Sequence, residues 1–213
     1  MATDKLTKLE LQKAFCEVRK AHRLIYEYQR RMIDLTWFIK NKLGFNRYKG
    51  YKRFSSPVNR QEISNNNWAW DWIDSYAFEY WIGNHDFKNY KCGLSLIQIT
   101  DTGFYDSTDD KRRKTNLNTF KSLDESDSKL LFYLFAYPKE TEKENWNPDF
   151  IIDNYATKNE ITVKDDENRE GCFYVVYPVS LSQFVDEEST MTVLREFVKY
   201  CNDNFQMGLT ILE

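Results

Sequence analysis

Histidine is almost missing from this 213-residue chain, which carries only His22 and His85. Two histidines cannot build a His-Glu-x-x-His zinc helix or a multi-histidine cage. Glycine (seven) and proline (four) are also scarce, which excludes collagen-like and low-complexity chains. The chain has no G-x-x-x-x-G-K-[ST] phosphate loop, no G-x-G-x-x-G turn and no G-x-S-x-G elbow. P-loop hydrolysis, Rossmann hydride transfer and α/β-hydrolase chemistry are set aside accordingly. No segment approaches the roughly 20 consecutive apolar residues of a membrane span. The longest apolar runs, Leu130–Tyr137 and Cys172–Val179, have the length of buried strands, so no membrane partner is expected. Cys16, Cys92, Cys172 and Cys201 are widely separated, without a C-x-x-C, behind an N-terminus that lacks a signal-peptide pattern. They read as free thiols in a reducing cytoplasm, packed as small hydrophobes rather than used as nucleophiles.

What the chain does have is apolar and aromatic bulk: 41% hydrophobic and 16% aromatic residues, with 30% charged and a net charge of -3. A chain of this size buries roughly 70% of its unfolded surface and needs neither disulfide nor metal to hold a core. One domain over 1–213 is expected. Its parts are a long helix at 1–44, a basic-aromatic irregular segment at 45–67, a sheet with charged insertions at 68–178 and a C-terminal helix at 189–205.

The helix reading rests on spacing. Leu11, Val18, Ile25, Met32 and Ile39 recur every seven residues, flanked by Ala14, Ala21, Tyr28 and Leu35. That is one apolar stripe on a helix of on the order of 55 Å, stopping at Gly44, which suits a left-handed C-cap. His22, Gln29 and Thr36 occupy the other heptad flank, so packing on a sheet or in a small helical cluster fits better than a strict two-stranded coiled coil. Period-two alternation over Trp68–Ile82, then Gly93–Thr100, Lys129–Tyr137 and Gly171–Tyr177, reads as strands, the last two closed by Pro138 and Pro178. Ser189–Phe205 reads as a helix with Ser189 or Thr190 as N-cap. Helix, strands, helix, without strand–helix alternation, predicts an α+β fold with both helices packed on a mainly antiparallel sheet. Asp106–Ser128 and the acidic stretch Glu140–Glu170 read as long loops.

Two patterns touch on catalysis. Asp71, Asp74, Glu79 and Asp101, if clustered, would offer oxygen ligands to Mg²⁺ or Mn²⁺, as a metal-dependent nuclease requires. Solvent-facing alternation opposite the tryptophans is the favoured account of these carboxylates. Asp101-Thr102-Gly103 matches the triplet of aspartic proteases, but in a single copy, and a strand running into an Asp-x-Gly turn accounts for it.

The charge distribution is the most uneven feature. No acidic residue lies between Asp34 and Glu62, while Lys40, Lys42, Arg47, Lys49, Lys52, Arg53 and Arg60 do, interleaved with Trp37, Phe38, Phe45, Tyr48, Tyr51 and Phe54. Cations neutralise phosphates and aromatic rings stack on bases, so Arg47, Tyr48, Lys49, Tyr51, Lys52 and Arg53, with Trp68 near a sheet edge, form the candidate ligand-binding set. An acidic partner serves the same cations: residues 101–170 alone hold 17 acidic against 11 basic side chains. The expectation is a cytoplasmic binding protein without cofactor or catalysis. It would engage a partner protein or a second copy of itself through the long helix and the basic-aromatic segment. A nucleic acid or nucleotide is the alternative partner, and a divalent-metal nuclease the more distant one.

Overall fold

The computed structural model describes residues 7–53, 76–87, 90–107, 117–140, 147–166 and 170–213. Among the described residues, no helix is long and apolar enough to cross a membrane. The chain divides into two compact units, one ending at Trp37 and the other beginning at Phe38.

The first unit consists of most of α1 (Lys8–Lys42). Thr7 opens this helix in a capping box: Glu10 Oε2 accepts the Thr7 backbone N–H at 2.7 Å, and the Glu10 N–H donates to Thr7 Oγ1 at 3.3 Å. The helix continues past Phe38 and ends as its sequence requires. Gly44 sits at φ 70°, the Gly44 N–H donates to the Asn41 carbonyl at 3.1 Å and the Phe45 N–H to the Lys40 carbonyl at 3.1 Å. These are the two bonds of a Schellman cap.

The second unit is built on one sheet, every pair antiparallel, in the order β1 (Lys49–Lys52), β2 (Ala77–Phe87), β3 (Tyr90–Ile99), β4 (Lys129–Pro138), β6 (Phe173–Ser180), β5 (Thr162–Asp165). With α2 (Pro148–Tyr155) and α3 (Glu187–Phe205) this gives the α+β fold expected from the sequence. The two helices take opposite faces. On one, Ala77, Ile97, Ile99, Leu131, Tyr133, Phe135 and Val176 pack with Ile151, Ile152 and Tyr155 of α2. On the other, Phe197 of α3 meets the rings of Phe132 and Tyr177 at centroid distances of 4.8 and 5.5 Å, and Phe205 stacks on Phe173 at 4.8 Å. Nine of the ten residues of β4 are buried, which is why its sequence is a continuous apolar run without alternation.

Four local expectations need correction. The acidic stretch 140–170 holds α2 and β5. Asn147 Oδ1 accepts the Phe150 N–H at 3.1 Å and Pro148 takes the first turn, a helix start that a surrounding run of charge concealed. The irregular reading of 45–67 gives way at 49–52 to an edge strand too short to show a period. The C-terminal helix begins two residues earlier, at Glu187: Asp186 is its N-cap and Ser189 its reciprocal partner in a capping box. Pro178 lies inside β6, opposite Leu131 and beyond the last β5 pairing at Val176, so its missing N–H leaves no ladder bond to β5 unmade.

Lys129 joins two of the layers. It is the first residue of β4, and its ammonium donates to the carbonyls of Thr157 (3.2 Å) and Lys158 (3.0 Å) and to Asn159 Oδ1 (2.7 Å), just past the end of α2. A cation there meets the negative end of the helix. Burial nevertheless holds the Lys129 pKa below the usual lysine range.

Candidate functional site

The basic-aromatic segment runs along the sheet edge. After Phe45, whose ring lies 6.0 Å from that of His85, the Arg47 N–H donates to the Ile82 carbonyl at 3.0 Å and the chain enters β1. Gly83 makes this approach feasible. It sits at φ 116° beside a register shift in β2, and a Cβ on it would stand 2.9 Å from Asn46 Oδ1 and 3.1 Å from Arg47 Cβ. The pairing then sets Lys49 opposite Trp81, Gly50 opposite Tyr80, Tyr51 opposite Glu79 and Lys52 opposite Phe78.

This register gives most of the segment internal partners. Tyr48, half-buried, stacks on Tyr80 at 6.0 Å with the planes 21° apart. Lys49 Nζ lies 5.4 Å from the centre of the Trp81 ring. Lys52 is half-buried, while Arg47, Lys49 and Tyr51 are exposed. The Arg53 guanidinium covers the Tyr51 ring at 5.3 Å, and its Nε donates to Glu79 Oε2 at 2.7 Å while Nη2 approaches the same oxygen at 2.6 Å. Arg53 Nη1 also stands 3.7 Å from Asp149 in the first turn of α2.

Glu79 is the main departure from the sequence reading. The alternation placed it in solvent opposite the aromatic residues, yet it is fully buried, at 0% exposure. The physical reason is α2: with helices on both faces, each parity of β2 points into packed protein. The carboxylate is satisfied there, by Arg53 on one oxygen and by Ser95, whose hydroxyl donates to Oε1 at 2.5 Å. Ser95 and Asp149 were not singled out in the sequence. The available signal was a lone acidic residue in Ala-Phe-Glu-Tyr-Trp-Ile, a stretch too apolar to leave that carboxylate in water.

Asp101 serves elsewhere. It N-caps a short 3-10 turn, Thr102–Phe104, accepting the Gly103 N–H on Oδ1 at 2.7 Å and the Tyr76 hydroxyl on Oδ2 at 3.0 Å. Glu79 pairs with Ile97 inside β3, whereas Asp101 lies two residues past the end of that strand, in the turn that follows it. The two carboxylates therefore do not share a site, and among the described residues no three His, Cys, Asp or Glu side chains come together as metal ligands. Asp71 and Asp74, and Trp68 of the candidate binding set, lie outside the described residues.

A second surface lies on the N-terminal unit. Leu11, Val18 and Ile25, the first three members of the heptad stripe, are 40%, 50% and 44% exposed, with Phe15, Leu24 and Tyr26 exposed beside them. A solvated helix surface normally carries polar residues at such positions.

The cysteines carry no disulfide. Cys92, Cys172 and Cys201 are buried, and desolvation pushes the Cys92 thiol up to about 12 and raises Cys201 as well.

The family model described as PM0109 matches residues 8–206. The "Uncharacterized protein PM0109" of Pasteurella multocida (strain Pm70) is 27% identical over 202 residues, covering 87% of this chain and 91% of that protein. No solved structure matches the chain. The family match takes in the whole of α1, α2, α3 and the six strands, and so the chain belongs to the PM0109 family.

Proposed function

We propose that this protein is a non-catalytic cytoplasmic binding protein that engages a protein partner, or another copy of itself, through the N-terminal part of α1. The observation that carries this reading is the exposed apolar stripe Leu11–Val18–Ile25. A helix in water gains most of its stability from burying such a face, and a contiguous apolar strip of this kind marks an association surface. Four cysteines without a disulfide accord with a reducing compartment. The test is co-purification from the source cell with the tagged full chain and with Leu11→Glu/Val18→Glu. A partner retained by the wild type and lost by the variant is expected. Identical co-purification by both would refute α1 as the docking surface.

A second reading, a phosphate-bearing ligand at the β1 edge, is favoured by the exposure of Arg47, Lys49 and Tyr51. It is narrowed by Arg53, whose charge is committed to Glu79. Binding of labelled single-stranded DNA, RNA or nucleotide that falls on Arg47→Glu/Lys49→Glu is the expected result of this reading, with steep salt dependence.

A further inference from the structure

We infer that the occupant of the exposed α1 stripe is the same stripe of a second copy, paired antiparallel. This rests on the reading of α1 as an association surface and adds the identity and direction of the partner. The first ground is the distribution of size along the seam. Leu11, Ala14, Val18, Ala21, Ile25 and Tyr28 occupy alternating a and d positions of the heptad. When two such helices run in opposite directions, a packs against d. Val18 then meets the partner's Ala21, Ala14 meets the partner's Ile25, and Leu11 meets the partner's Tyr28. Every layer sets a large side chain against a smaller or longer complementary one, and the two-fold axis repeats each layer. A parallel pair instead stacks alanine on alanine at 14 and again at 21, leaving gaps that close packing does not tolerate.

The second ground is charge. The segment Lys8–Arg31 holds seven cations and three carboxylates, an excess that would repel a second copy if it lined the contact. None of these cations falls on an a or d position. Lys13, Arg19, Lys20, Arg23 and Arg30 fall on the outward b, c and f positions, and Glu17 and Glu27 hold two of them along the same helix, Lys20 at 2.8 Å and Arg30 at 3.9 Å. His22 and Gln29, which disfavour a long continuous coiled coil, sit at the flank of this short seam where polar residues are ordinary.

A seam of about 27 Å, Leu11 to Tyr28, and one helix width lies at the lower end of specific interfaces, so dissociation in the micromolar range is expected.

The test uses the full chain in a Cys16→Ser background, with Ala14→Cys and Ile25→Cys introduced separately. Under oxidised glutathione, the mixture of the two variants should give a disulfide-linked dimer, whereas Ala14→Cys alone should form no disulfide-linked dimer. Light scattering should show wild-type chain moving from monomer to dimer across the micromolar range, with Val18→Glu raising the dissociation constant about tenfold or more at unchanged helix content by circular dichroism. A cross-link formed by Ala14→Cys alone would overturn the antiparallel arrangement. A wild-type chain that stays monomeric at high micromolar concentration would overturn self-pairing itself. The docking role of α1 would survive that result and fall only if Leu11→Glu/Val18→Glu leaves co-purification unchanged.

Discussion

Arg53 closes onto Glu79 from the strand edge, its Nε 2.7 Å from a carboxylate oxygen that no solvent reaches. The pair decides how much of the basic segment is available to a ligand, because Arg53, one of its cations, is already neutralised. It also makes the first prediction. Glu79→Ala leaves a largely buried guanidinium without its partner, and we expect a loss of about 3–5 kcal/mol in chemical denaturation. Arg53→Met/Glu79→Leu should recover much of that loss, because both charges leave together. A double mutant as unstable as Glu79→Ala would show that packing, not charge, sets the cost.

Gly83 offers a second test. Its φ of 116° and the 2.9 Å approach to Asn46 Oδ1 admit no side chain. Gly83→Ala should therefore cost about 1–3 kcal/mol of strain and detach the chain leading into β1. Amide exchange at Arg47, whose N–H bonds to Ile82, would report the detachment directly. Unchanged protection there would count against the proposed role of this glycine.

Thiol chemistry gives a third. Of the four cysteines only Cys16 is partly accessible. In the native protein we expect one equivalent of thiol to react with an aromatic disulfide reagent at pH 8, and four after denaturation. Prompt native labelling of Cys92 would contradict the burial that lifts its pKa to about 12.

The start of α3 provides a pH dependence. Hydrogen bonds from the Ser189 backbone and side chain lower the Asp186 pKa from its ordinary 3.8. A carboxylate with a depressed folded pKa stabilises the native state above its unfolded value and loses that contribution as pH falls through the folded one. Thermal midpoints measured from pH 6 down to 2 should fall below about pH 4, and Asp186→Asn should flatten part of that fall. Parallel curves for the two proteins would remove the cap from the account of acid stability.

Legibility in the sequence followed the strength of each local signal. The stripe from Leu11 to Ile39, the Gly44 stop and the apolar run of β4 are long and regular, and each appears where its period puts it. β1 and β5 have four residues each, too few to establish alternation, and α2 is a two-turn helix within a charged stretch. Missing α2 had a second cost. A sheet covered on one face makes Glu79 a surface residue, whereas a sheet covered on both makes it a buried ion. The exposure of Arg47 and Lys49 and the commitment of Arg53 depend on strand register, which composition does not encode.

The continuous apolar centre of β4 has a consequence for how the chain reaches its native state. Leu130–Tyr137 combines high strand propensity with no charge, the signature of a segment that self-assembles when it meets copies of itself. Its shielding comes from neighbours distant along the chain: β3 and β6 on either side, α2 above and α3 below. Until all four arrive, the segment is open to intermolecular association, so we expect renaturation yield to fall as protein concentration rises. Turbidity on dilution from denaturant measures this, and Phe132→Lys should suppress the turbidity while abolishing the native fold.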